Sequence, residues 1–194
     1  MSEESSVNAR IAQRVRDLRG ARGLSLEALA AASGVSRSMI SVIERGESSP
    51  TAVVLEKLAV ALDVALVSLF DAPAATPQPV ARRADQPEWQ DPQSGYRRRN
   101  VSPPGYPSPI RLIDVEFPPG ATVAYETAER RPAQHQQVWV QAGRLEVRVG
   151  DETHHLAAGD CLAHPLDRPV AFHNPGREAA RYVVVLATEG GPWR

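Results

Sequence analysis

Cysteine is nearly missing from this 194-residue chain. Cys161 is its only one, which excludes an internal disulfide and fits a reducing cytoplasm. Net charge is nearly missing too: the formal value of -1 at pH 7 excludes a uniformly basic coat for nucleic acid. There is no long apolar run and no secretory leader pattern, so neither export nor membrane insertion is expected, and the expected location is cytoplasmic. Lys57 is the single lysine among 22 basic residues, a bias read as genome composition rather than function. A Gly-rich phosphate loop, a G-x-S-x-G elbow and closely spaced carboxylates in an apolar setting are all absent, so no catalytic residues are assigned. Nor does any pair of the five histidines have convincing metal-ligand spacing.

The stretch from Leu24 to Gly46, LSLEALAAASGVSRSMISVIERG, carries the clearest chemistry. Ser25 is placed to cap a helix whose apolar positions Leu26, Leu29 and Ala30 fall at helical spacing. Ala30, Ala31 and Ala32 are small enough to let a second helix cross closely. Gly34 then supplies a turn, because glycine accepts a left-handed backbone without steric cost. Ser36 is placed to cap the next helix, Arg37 to Arg45, with Ile40 and Ile43 as its buried stripe. The other face carries Arg37, Ser38, Ser41 and Val42, side chains suited to base edges and the thymine methyl in a major groove. Helical spacing also marks Ile11, Val15 and Leu18 upstream, and Val54, Leu55, Leu58, Ala59 and Leu62 downstream. Leu66 and Leu69 suggest one more short helix, which makes about five in all.

These pieces occur in the order R-x-L-R, G-L-S-x-x-x-L-A, G-V-S, I-x-x-I-E-x-G, P and L-x-x-L-A-x-A-L. That order resembles the DNA-binding domain of the XRE (phage repressor-like) transcriptional regulators over residues 8 to 70. The resemblance implies that Arg19 and Glu44 pair to tie the first helix to the recognition helix. It also implies that Ser36 to Val42 face DNA and that Ser25 touches a phosphate. Arg45, near the end of the recognition helix, is the candidate for a further phosphate contact. Residues 1 to 70 carry acids and bases in equal number, so a single copy attracts phosphate only modestly and a homodimer is expected.

From Asp71 to Pro79, DAPAATPQP alternates proline with small residues, as a semi-rigid linker does. The boundaries read as 1–71 for the helical domain, 72–79 for the linker and 80–194 for a second domain. Beyond the linker the periodicity turns to alternation. Arg111 to Phe117, Gln136 to Gln141, Leu145 to Val149 and Arg181 to Leu186 read as strands between glycine-rich turns. Many short strands with no helix between them predict an antiparallel sandwich or barrel, so the chain is α+β with an all-α domain before an all-β one.

The turns P-P-G at Pro118 to Gly120, V-W-V-Q-A-G at Val138 to Gly143, L-A-A-G-D at Leu156 to Asp160 and F-H-N-P-G at Phe172 to Gly176 resemble the cupin domain, a jelly-roll barrel. In that family a metal is held by a His-x-His pair, a Glu and a further His. Here the Glu position falls on Gln136 and the later His position on Val170, while Glu129 to Pro132 contain no histidine. The resemblance therefore implies a barrel without its metal or any other cofactor, and an organic effector among the residues that replaced the ligands.

Strand alternation turns Gln136, Val138 and Val140 to one inner face and Leu162 and His164 to a facing one, with Val170 and Phe172 closing the far side and Tyr125 at the rim. His164 reads first as a core histidine bonded to a backbone carbonyl. His135 and His173 read as outward-facing, and His154 and His155 as solvated side chains at a turn edge. Cys161 reads as a packed thiol, Asp160 as a turn cap, and Arg97-Arg98-Arg99 as solvated or interface charges. Together these features point to a transcriptional regulator whose partners are double-stranded operator DNA and a small-molecule effector. Two alternatives stand beside it: a helix-turn-helix/cupin metalloenzyme of the phosphonate epoxidase type, and an XRE-type partner-binding protein resembling an antitoxin.

Overall fold

The computed structural model describes residues 3–70, 77–126 and 133–189. Its contacts divide the chain into two compact units, Met1–Thr76 and Pro77–Arg194. The proposed linker falls largely on residues 71–76, outside the described ones.

Among the described residues the first unit holds four α-helices: α1 (Glu3–Ala21), α2 (Leu26–Ser33), α3 (Arg37–Glu44) and α4 (Ala52–Ala61). The expected fifth is a 3-10 turn at Leu66–Phe70, and α1 begins several residues before its apolar spacing suggests. Val7, Ile11, Val15 and Leu18 repeat at helical spacing and bury one face of α1. They share a core with Leu29, Ile40, Leu55, Leu58 and Phe70, all at or near zero exposure. Each serine or threonine before a helix does the expected work. Ser25, Ser36 and Thr51 accept hydrogen bonds from the amides of Ala28, Met39 and Val54, which leaves fewer orphan N–H groups at the helix starts. Gly34 ends α2 in the left-handed conformation, φ 67°, with its amide donated to the Ala30 carbonyl. The helix axes turn by 115° between α2 and α3. Among the described residues no single helix is long and apolar enough to cross a membrane.

The second unit is a sandwich of two antiparallel sheets, ten strands in all among the described residues. In chain order they are β1 (Glu88–Gln90), β2 (Arg97–Asn100), β3 (Ile110–Phe117), β4 (Thr122–Tyr125), β5 (Gln134–Ala142), β6 (Arg144–Val149), β7 (Glu152–Ala157), β8 (Cys161–Pro165), β9 (Val170–His173) and β10 (Ala180–Thr188). One sheet runs β1-β2-β3-β10-β5-β8 and the other β4-β9-β6-β7. Alternation along each strand sends one set of side chains between the sheets: Ile113, Val115 and Phe117 from β3, Gln136, Val138 and Val140 from β5, Val147 and Val149 from β6. Asn174, fully buried, closes the end of the sandwich, its amide donating to the carbonyls of Phe117, Pro118 and Glu178. Gly143 is the one residue that fits its corner. A Cβ there would stand 3.0 Å from the Ala179 carbonyl oxygen and the Ala180 Cα, and φ is +77°.

Several sequence expectations change at this level. His154 and His155 lie within strand β7, not at a turn edge; the segment pairs along its length with β6. Leu162 and His164 do not face β5 from an opposite wall. They sit on β8, the next strand of the same sheet, in register with Val138 and Gln136. Alternation gives the side a residue points to, but strand order decides which neighbour it has. Cys161 opens β8 with its side chain exposed, so it is not a packed thiol. Asp160 does cap its turn, accepting from the Ala157 amide at 2.8 Å.

Candidate functional site

Helix α3 is amphipathic because Ile40 and Ile43, three apart, anchor it at 0% and 1% exposure. What remains outside is Arg37, Ser38 and Met39, all exposed, with Ser41 and Val42 half-buried beside them. Met39, 41% exposed, lies on the same face, within the Ser36 to Val42 stretch that the XRE resemblance turns toward DNA. Arg37 is held in the free protein by an exposed ion pair, Nε to Glu27 Oε1 at 2.5 Å, bridging α3 to α2. Pairs this exposed contribute about 0–1 kcal/mol, so the guanidinium is released at little cost. Arg45 donates to Ser41 Oγ and to Glu47 Oε2. The hydroxyls of Ser25 and Ser36 accept from backbone amides as caps; Ser25 is also bonded to the Glu27 carboxylate, and Ser36 lies 3.2 Å from the Ser38 hydroxyl.

The attachment of α3 to α1 is electrostatic as well as apolar. Arg19 forks onto Glu44, Nε to Oε1 at 2.6 Å and Nη2 to Oε2 at 2.8 Å, and its Nη1 donates to the Leu24 carbonyl at 2.9 Å. Glu44 is 7% exposed and Arg19 20%. The Glu44 hydrogen bonds hold the guanidinium pKa above its ordinary value, against the effect of burial. Arg16 adds a hydrogen bond to the Glu44 carbonyl.

Between the sheets of the second unit runs a chain of rings. Trp89, Tyr96, Phe117, Tyr182, Phe172 and Tyr125 follow one another at centroid distances of 5.7 to 6.2 Å, with Phe172 and Tyr182 stacked parallel. The hydroxyls of Tyr96 and Tyr125 lie 3.1 Å apart. Burial raises all three phenol pKa values, well above the ordinary range for Tyr125 and Tyr182, and the Arg98 charge acts against the shift at each. Arg98 is therefore an interior residue. Of the three consecutive arginines, Arg97 and Arg99 point outward and pair with Glu116 and Asp114, while Arg98 is 6% exposed. The expectation of three solvated charges is corrected here: period-two alternation places Tyr96, Arg98 and Asn100 on the inner side of one extended segment.

A cleft of about 360 Å³ opens where the edge strands β7 and β8 meet, with Val149, Leu162 and Pro165 as apolar wall and Glu152, His154, His164 and Arg168 among its polar groups. His164 is 7% exposed. Its Nδ1 lies 3.0 Å from the Pro165 carbonyl, as expected of a core histidine, but its Nε2 finds no partner among the described residues. Desolvation pulls the imidazole pKa below its ordinary value.

A helix-turn-helix family model matches residues 15–69, and a cupin-domain model matches residues 113–186. The chain joins an XRE-type helix-turn-helix domain to a cupin domain. The HTH-type transcriptional regulator SutR of Escherichia coli (strain K12) is 28% identical over 172 residues, 87% of this chain and 89% of that protein. The HTH-type transcriptional regulator SinR of Bacillus subtilis (strain 168) is 40% identical over 62 residues, 31% of this chain and 56% of that one. A crystal structure of an HTH_3 family transcriptional regulator from Vibrio cholerae shares the fold, with a TM-score of 0.75 and 24% identity across 95% of this chain and 98% of that one.

The cupin domain's residues do not fit the metal of metal-binding cupins. The resemblance puts Gln136 at the Glu position and Val170 at the later His position, and both are buried. Among the described residues no group of three His, Cys, Asp or Glu side chains is placed to hold an ion. Glu129 to Pro132, where the paired histidines of such a site belong, lie outside the described residues.

The residues expected around an effector divide into two sets. Gln136, Val138, Val140, Val170 and Phe172 are packed between the sheets, and Tyr125 is half-buried there with its hydroxyl on Tyr96. Leu162 and His164 instead line the cleft beside β7. Among the other histidines, His135 is exposed, 2.9 Å from Glu189, and His173 Nδ1 lies 2.9 Å from the Thr122 hydroxyl.

Proposed function

We propose that this protein is a sequence-specific, DNA-binding transcriptional regulator that acts as a homodimer and senses a small organic molecule in its cupin barrel. The observation that carries the reading is the α2–turn–α3 unit. Its second helix is capped, anchored from behind by Ile40, Ile43 and the Arg19–Glu44 pair, and bare of packing along Arg37, Ser38 and Met39. A helix held this way presents short polar side chains and one long arginine to a major groove. Arg37 reads a guanine through two hydrogen bonds, Ser38, Ser41 and Val42 meet the neighbouring edges, and Ser25, Ser36 and Arg45 position the unit on phosphates. The likeness to SutR along most of both chains supports the same reading.

Dimerisation supplies the affinity that a charge-balanced domain lacks. The outer face of the six-stranded sheet favours it: Trp139 is 48% exposed, next to Val183 across β10, with Leu112 and Ile110 also exposed on the same side. An apolar stripe of this kind fits a two-fold, self-complementary contact. Of the residues expected around the effector, Leu162 and His164 line an open cleft and offer it a surface, while Gln136, Val138, Val140, Val170 and Phe172 pack between the sheets behind them. The reading is non-enzymatic, because Gln136 and Val170 replace the ligands that metal chemistry in a cupin needs. Selection of randomised DNA duplexes by the purified full-length protein tests it. The expected product is an inverted repeat with half-sites about 10 base pairs apart or a multiple of that. A pool that stays random after repeated rounds refutes it.

A further inference from the structure

Arg37 reaches the groove from a restrained starting point. Its pair with Glu27 runs through Nε, 2.5 Å from Oε1, with the two side chains 62% and 65% exposed. Nε is the inner nitrogen of the guanidinium, so Glu27 holds the group by one edge and leaves the end-on edge, Nη1 and Nη2, for another partner. Those two nitrogens carry the N–H groups of a fork that fits guanine O6 and N7. The guanidinium therefore need not leave Glu27 to read a base.

The carboxylate is itself held in place. Glu27 lies in the first turn of α2, where the helix dipole favours an anion. Its own backbone amide, then the Arg37 charge and the Ser25 hydroxyl, keep its pKa below the ordinary carboxylate value against the effect of desolvation, so it is ionised at neutral pH. Ser25 is fixed in turn by the hydrogen bond it accepts from the Ala28 amide at 3.0 Å. A line of contacts thus runs from the capped start of α2 to the first residue of α3. A pair this exposed adds little to stability. Its effect is on conformation, because a long side chain gives up rotamer freedom before DNA arrives rather than on binding. The charge acts in a second way: a carboxylate beside the groove repels phosphate, which disfavours every register where Arg37 meets no guanine.

We propose that Glu27 is a positioning residue for base recognition: it holds Arg37 by Nε in the end-on orientation that fits guanine, and its charge weakens binding to DNA that lacks one there. This role rests on the DNA-binding reading and deepens it, naming a residue that sets specificity without touching a base.

Selection from randomised duplexes, followed by titration on the selected site and its single-base variants, tests it with the full-length protein, Glu27→Ala, Glu27→Gln and Arg37→Ala. Arg37→Ala identifies the guanine, as the position whose preference it erases. At that position Glu27→Ala should lower the discrimination between guanine and the other bases by about five-fold or more, with neighbouring positions unchanged. Glu27→Gln keeps an oxygen for Nε and should retain most of the discrimination, a rescue that damage to the fold would not allow. Both variants lose the charge and should bind a scrambled duplex about two- to five-fold more tightly. In the Arg37→Ala background, Glu27→Ala should change no base preference. Glu27→Gln losing as much discrimination as Glu27→Ala overturns the positioning role, since repulsion alone would then account for both. A loss at a different position also overturns it, as the mark of a carboxylate that reads a base itself. The DNA-binding reading fails separately: a wild-type pool that stays random removes that reading and this role with it. A guanine erased by Arg37→Ala but kept by Glu27→Ala leaves the reading standing and removes only the role of Glu27.

Discussion

Replacing Glu44 by alanine should destabilise the helix-turn-helix domain although it removes no side chain that faces DNA. The carboxylate is 7% exposed and takes both arms of the Arg19 fork, so its loss strands a guanidinium against the seam of α1 and α3. Breaking a fully buried pair costs about 3–5 kcal/mol. Arg19 keeps a fifth of its side chain in water and one hydrogen bond to the Leu24 carbonyl, which lowers the expected loss to roughly 2–3 kcal/mol. In a domain of this size each kcal/mol moves the melting midpoint by about 4–8 °C, so a fall of roughly 8–24 °C is expected. Circular dichroism at 222 nm follows it cleanly, because α1 to α4 all lie before residue 77. Trp89, Trp139 and Trp193 all follow that point, so tryptophan emission reports the other unit. Glu27→Ala is the control: it breaks the exposed pair with Arg37 and should leave the midpoint close to that of wild type. The Arg19→Ala/Glu44→Ala double variant should lose less than the sum of the singles, since neither charge is then stranded. A Glu44→Ala midpoint equal to wild type would refute the argument that this pair anchors α3.

Other outcomes follow from the same geometry. Arg37→Ala should weaken binding to the selected duplex by about 1–3 kcal/mol and leave scrambled DNA almost unaffected, whereas Arg45→Ala should weaken both alike and flatten the salt dependence; titrations on the two duplexes read the difference. Trp139→Glu, placing a charge on the apolar stripe of the outer sheet face, should give a monomer by light scattering while the barrel stays folded; an unchanged dimer would move the interface elsewhere. Burial holds His164 below the ordinary histidine value of 6.5, so the unfolded chain takes up this proton more readily than the folded one. Stability from this group is therefore complete above about pH 6.5 and declines as pH falls below it, and urea midpoints by tryptophan emission should show less of that decline in His164→Gln.

The helical half was legible because its signals are local. A capping serine, a glycine at a left-handed position and an apolar residue every third or fourth place each act within one turn of chain, and Ser25, Ser36, Gly34, Ile40 and Ile43 all stand where those rules put them. The barrel was legible as to class and as to the long strands β3, β5, β6 and β10. Three strands of three or four residues, β1, β2 and β4, escaped because they are too short for alternation to separate from turn, and so did β7, whose Glu-Thr-His-His start reads as a polar turn edge. Strand order lies beyond periodicity altogether, which is why Leu162 and His164 were set opposite β5 when they lie beside it. Arg98 was hidden by its chemistry. Three arginines in a row read as solvent-facing, and only the phase set by Tyr96 and Asn100 on either side turns the middle one inward.

The central claim is that α3 enters the major groove with Arg37 at a guanine. Methylation interference on the selected duplex tests it most directly, because a methyl group on guanine N7 blocks that edge without disturbing the pairing. One methylated guanine in each half-site should abolish wild-type binding, and the same modification should add little to the defect of Arg37→Ala. Full binding to duplexes methylated at every guanine would contradict it.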